Sequence, residues 1–204
     1  LSRFTVPISG SQASTTQGLL MPKLKYRFRV TLDSFGVPGQ PSTELTKQVM
    51  NVSRPEVSFE EIKLPVYNST VKLLGKHNFA DAKLTIRDDA SGIVSRKVGE
   101  QLQKQFDFFE QSSAASAGDY KFTMRIEMLD GGNGANTPVI LETWECYGCY
   151  LVTANYQSIA YGEQGPATID LSIQYDNAIQ SPQGTGVGSV VGRTINTLAT
   201  GAGR

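Results

Sequence analysis

A chain of 204 residues with 39% hydrophobic content can bury one sizeable core, as a single domain or a domain with extensions. Nineteen basic and nineteen acidic residues cancel, so no global field drives the chain onto nucleic acid or anionic lipid. No apolar run is long enough to span a bilayer, residues 1–20 lack the apolar centre of a secretory signal, and two cysteines are too few for a disulfide scaffold; a soluble protein of a reducing compartment, without a membrane anchor, is expected.

Residues 1–21 are rich in Ser, Thr, Gln and Gly without a period, and residues 180–204 more so; both read as extensions of a domain spanning 22–179. Phe4, Val6, Ile8, Val190, Val191, Ile195 and Leu198 give these extensions enough apolar anchors to dock on a neighbouring molecule. The domain opens on "KLKYRFRVTL", where Leu24, Tyr26, Phe28, Val30 and Leu32 share one face and Lys23, Lys25, Arg27 and Arg29 the other, which predicts a half-buried strand with a basic face. Period two puts the aromatics opposite the cations, so a solvated or interface face is favoured over a nucleic-acid site. Residues 33–46 form a turn-rich excursion, and long loops inside compact domains usually have a role.

Strand signals follow at Val57–Val66, Thr70–Leu74, Ala82–Arg87, Tyr120–Leu129, Val139–Tyr147 and Ala167–Tyr175. One long helix is predicted after "DDASG": Val94, Val98, Leu102, Phe106 and Phe109 recur at helical spacing, with Asp89 or Ser91 to cap it and Gly118 beyond its end. The expected class is mainly β and antiparallel, a barrel- or sandwich-like domain with one packed helix.

No coherent catalytic constellation emerges. Cys146 and Cys149 make a Cys-x-x-Cys pair, but a zinc site wants four ligands and the only histidine is His77; β-branched and aromatic flanks make these ordinary sheet cysteines. Asp88 and Asp89 end a strand and cap the helix more plausibly than they bind a cation. "DGGNGAN", Asp130 to Asn136, lacks the Lys-Ser/Thr of a phosphate loop and reads as a turn. No cofactor and no enzymatic activity are expected.

In order, "KYRFRVTL", "RPEVSFEEIKLPVYNSTVKLLGKHNFADAKLTIRDD", the helix, and "WECYGCYLVTANYQSIAYGEQGPATIDLSIQYDNA" resemble the tail tube protein of contractile-tailed bacteriophages over roughly Lys23 to Ala178. Leu151 stands where proline is common in that pattern. The resemblance implies a subunit that closes into hexameric rings through edge-to-edge strands, stacked as a hollow tube inside a sheath. Its implied partners are copies of itself, the tail sheath protein, the tape measure protein, the baseplate hub and DNA in passage; its implied place is the virion tail, assembled in the host cytoplasm. Phe35, Val37, Pro38, Gln40 and Glu44 become candidate contacts between rings. A wall that must not hold DNA should be acidic or neutral, which selects Glu60, Glu61, Asp170, Ser172 and Gln174 as lumen candidates and sends Lys23, Lys25, Arg27 and Arg29 to the subunit interface or outer wall, unless nearby acids neutralise them. The tube of a type VI secretion system, a tailocin or an extracellular injection particle shares the pattern. A β-sandwich glycan-binding module, stacking sugars on Tyr150, Tyr156 and Tyr161, is the reading from a different class.

Overall fold

A computed structural model describes residues 23–37, 43–129, 140–162 and 164–181. The fold is mainly β and antiparallel. Its largest sheet has seven strands: β1 (Phe28–Asp33), β8 (Phe122–Leu129), β9 (Ile140–Tyr156), β10 (Thr168–Gln174), β5 (Ala82–Arg87) and β2 (Val49–Val52) in spatial order, with β11 (Asn177–Ser181) also on β9. The rest comprises the hairpin β3 (Val57–Val66) and β4 (Ser69–Phe79), the two-residue strands β6 (Phe106–Asp107) and β7 (Ser112–Ser113), the main helix α2 (Ile93–Gln105), and the short helices α1 (Thr43–Gln48) and α3 (Ala117–Tyr120). The extensions up to Pro22 and beyond Ser181, together with Asp130–Asn136, Pro38 and Gln40, lie outside the described residues.

Strand β9 turns the sheet back on itself. Its first half pairs with β8 and β11, its second with β10. Between them Gly148 takes φ +67°, a left-handed conformation that inverts the alternation, so Cys146 and Cys149, three apart, both face the core. The core then forms between the two halves: Val30, Leu32, Met124, Ile126 and Trp144 on one side, Leu84, Ile86, Ile169, Leu171 and Ile173 on the other, with Val94 and Val98 of α2 and Leu45 of α1. A Cβ on Gly148 would come within 2.2 Å of Asp176 Oδ2, the carboxylate paired with Lys121 at 2.5 Å. Gly148→Ala therefore combines backbone strain with a broken ion pair, and denaturant titration should show a loss of about 2 kcal/mol; a loss below about 0.5 kcal/mol would contradict the inversion as a requirement of the fold.

Three expectations are corrected. The first strand begins at Phe28 rather than Lys23: its partner β8 ends at Leu129, which donates to Arg27 O, and the segment before it turns, with Arg27 N bonded to Leu24 O and Tyr26 71% exposed. The strand predicted to end at Tyr147 runs on to Tyr156, because Gly148 lets it cross into the second half. The helix stops at Gln105; its N-cap residue is Gly92 at φ +67°, and the Asp89 carboxyl is held below its ordinary range by the bond from Ser91 and by the backbone donors of Val94 and Ile93 at the helix start. Phe106 and Phe109 thus leave the helical stripe and stand exposed.

Candidate functional site: open edges, a hairpin and a polar face

The hairpin β3–β4 is continuous with β2 and β5 through a bridged bend, where Ser53 N donates to Lys83 O and Ala80 N to Glu56 O. Beyond the bend it projects with both faces exposed. One face carries Ile62, Leu64 and Val66 opposite Leu73, Val71 and Ser69; the other carries Glu61 and Lys63 opposite Leu74 and Lys72. Lys72 and Lys63 neutralise Glu61 at 3.0 and 3.7 Å. A bulge at Phe59–Glu61 sits across from Gly75, where a Cβ would meet Glu60 O at 2.7 Å. An amphipathic two-stranded hairpin with an uncovered apolar face is marginal alone in water.

The same half of the sheet has open edges at its two ends. No strand among the described residues pairs with the outer edge of β2 or, beyond Cys149, with the free side of β9. At Leu151 that free side is capped by a side chain: Gln105 Oε1 accepts from Leu151 N and its Nε2 donates to Leu151 O, both at 2.8 Å, so one amide imitates a neighbouring strand. Residues Val152–Tyr156 beyond it pair on that side with no strand among the described residues.

The outer face of this half is polar. Asp170, Ser172 and Gln174 alternate along β10 with buried Ile169, Leu171 and Ile173. With Asn51, Lys83, Thr85, Thr153 and Asn155, Asp170 and Ser172 line a shallow depression of about 390 Å³. Asp170 accepts from Thr85 Oγ1 at 2.7 Å and from Gln157, Ser172 donates to Asp81 at 3.2 Å, and Gln174 accepts from Tyr150 at 3.2 Å. Glu60 and Glu61 are not with them; both lie on the hairpin.

The basic face does not exist as one surface. Lys23 pairs with Glu142, Arg29 bonds Glu127 at 2.6 Å, Arg27 lies 5.4 Å from the Tyr26 ring centroid, and Lys25 lines a 250 Å³ slot between β1 and β2 with Phe28, Val52, Arg54, Ile126 and Met128. Glu142 shares the core side of its sheet with Met128, opposite it in register, whereas Glu127 points to the other side, so the two cations are neutralised on opposite faces. Burial pushes the Glu142 carboxyl up, but bonds from Lys23, from Trp144 Nε1 at 2.6 Å and from Gln180 at 3.0 Å bring it below the ordinary range. Glu127 and Glu142 were missed in the sequence, although an acid in phase with Trp144 and Cys146 marks a paired group.

Of the loop candidates, Phe35 is corrected: it is buried, edge-on to Phe122 at 5.0 Å, because Gly36 N bonds the buried amide of Gln101 and draws the loop into the core. Val37 is exposed, and Glu44 lies in α1. Burial pushes both cysteine thiols up to about 12, which leaves them unreactive near neutrality. Among the described residues no cluster of His, Cys, Asp or Glu could hold a metal, and no helix is long and apolar enough to cross a membrane. Tyr150 packs on Tyr120 at 6.4 Å between centroids, while Tyr156 and Tyr161 are exposed.

No family model matches the sequence, and no curated protein matches it. Solved structures do match in fold. A chain of the anti-feeding prophage baseplate superposes with a TM-score of 0.61 at 13% identity, covering 80% of this chain and 97% of that one. A chain of the anti-feeding prophage tube-terminating cap gives 0.59 at 13% identity, over 84% and 99%. A chain of the sheath–tube complex of PVC, an extracellular contractile injection system, gives 0.56 at 16% identity, over 84% and 99%. The chain therefore has a fold found in tube and cap assemblies of contractile injection particles.

Proposed function

We propose that this chain is a structural subunit of the inner tube of a contractile injection particle, joined to its own copies in six-membered rings that stack into a hollow conduit. The observation that carries this is the pair of edges, at opposite ends of one half-sheet, that no strand among the described residues covers. An edge at β2–β3 and another at Val152–Tyr156 are different surfaces, so pairing one with the other runs head to tail and closes into a ring without leaving edges exposed. The polar face then becomes the wall. Asp170 and Asp81 balance Lys83 and Arg87 there or close by, so the wall neither grips nor repels a passing polyelectrolyte. The role is non-enzymatic. The remaining partners are a sheath outside and the tape measure and hub at the ends; the particle is a phage tail if the cargo is DNA, or an extracellular injection particle of the kind whose chains share this fold. Negative-stain microscopy of the full chain at high concentration tests this: rings or tubes are expected, and persistent monomers would overturn it.

A further inference from the structure

Directly after α2 the chain makes a tight turn that displays aromatic side chains to solvent. Asp107 Oδ1 accepts from Phe109 N at 2.9 Å and from Glu110 N at 3.2 Å, and β6 and β7 close the base. Phe106 and Phe108 pack edge to face at 5.4 Å, and Phe109 is 96% exposed. The ring is held out by a backbone turn rather than by packing, which gives a preorganised anchor with little ordering entropy left to lose. On the solvent side of the same helix lies a depression of about 540 Å³ lined by Val37, Arg96, Gly99, Glu100, Gln103 and Lys104. Its centre is open because Gly99 has no side chain and, among the described residues, nothing lies within 4 Å of where one would be.

We propose that the Phe108–Phe109 turn of one copy docks into the Gly99 depression of a second copy. The inference rests on the tube reading and names one of its contacts. Two features select a second copy as the occupant. The depression has an apolar floor and the stems of Arg96, Gln103 and Lys104 around it, which suits an aromatic ring. The charges also match: Arg96 and Lys104 exceed the single Glu100 in the depression, whereas the turn carries Asp107 and Glu110 and no cation. Turn and depression are different surfaces, so the contact is head to tail and repeats from copy to copy, as an assembly of stacked rings requires.

The test uses engineered cysteines, since native Cys146 and Cys149 are buried. An equimolar mixture of Val37→Cys and Glu110→Cys chains, which keeps both Phe108 and Phe109, should form a disulfide-linked dimer on mild oxidation, neither variant should do so alone, and the double variant should form a ladder beyond the dimer. Gly99→Leu, filling the depression at a half-buried helical position where an added Cβ meets open space, should leave the chain folded and lower the fraction of stacked copies by about tenfold. Rings and tubes that form without the cross-link, and that Gly99→Leu leaves at wild-type length, would overturn this contact and leave the tube reading standing. A ladder that stops at the dimer would overturn the head-to-tail geometry. A wild-type chain that neither assembles nor cross-links would overturn both.

Discussion

Ile62→Glu combined with Leu73→Glu is expected to abolish assembly while leaving the subunit folded. The two residues are a direct cross-strand pair on the apolar face of the hairpin, 49% and 47% exposed in the isolated chain. Within the subunit they form one half-exposed cross-strand pair, and such pairs contribute about 0.2–1 kcal/mol. In an assembly that covers this face, each loses its remaining burial and brings a carboxylate out of water, a penalty of several kcal/mol per site. Because every interface of a ring contains the same pair, the loss repeats around it. Sedimentation velocity should show monomers with an unchanged circular dichroism spectrum. Assembly equal to wild type would mean that the hairpin face stays in water.

Glu142→Ala should be a strongly destabilising single change to the subunit. The carboxylate is buried and gathers Lys23 from the start of the domain, Trp144 on its own strand, Gln180 on β11 and Arg54, at 3.8 Å, from the bend below the hairpin. Removing it leaves the buried Trp144 N–H without its acceptor and Lys23 without its counter-charge, for a loss of about 3 kcal/mol. The pH dependence follows from the same geometry. The folded carboxyl titrates below its unfolded value, so its stabilisation is fully present above the ordinary glutamate range and is lost as pH falls through the folded value. Denaturant titrations should therefore converge for wild type and Glu142→Ala at acid pH and diverge towards neutrality. A gap that persists unchanged into acid would show that packing, not charge, is what Glu142 supplies.

The sequence announces most of the strands because burial of one face imposes period two. Val30 and Leu32, Met124 and Ile126, and Ile169, Leu171 and Ile173 alternate with polar residues and meet in one core. The same period misleads at the hairpin. Ile62, Leu64 and Val66 alternate whether the covering surface belongs to this chain or to another, so projection into solvent is not legible from composition. Two residues broke the local pattern by means that act over short range: Gly148, whose positive φ carries β9 past its apparent end, and Asp107, whose side chain takes the backbone donors that would have continued the helix to Phe109. Pairing across long sequence separations was the least visible. Arg29 with Glu127, Lys23 with Glu142 and Gln105 with Leu151 each needed the topology before their chemistry could be read. For the polar face the alternation of Asp170, Ser172 and Gln174 was readable, whereas the separation of Glu60 and Glu61 from it depends on the bend at Ser53–Glu56.

A cryo-EM reconstruction of the assembled particle tests the central claim most directly. It should show Val152–Tyr156 of each copy in backbone hydrogen bonds with the β2–β3 edge of the next, the hairpin face of Ile62, Leu64 and Val66 covered, and Asp170 and Ser172 on the wall of a central channel. Copies joined only through side chains, or a ring with this polar face on its outside, would contradict the account.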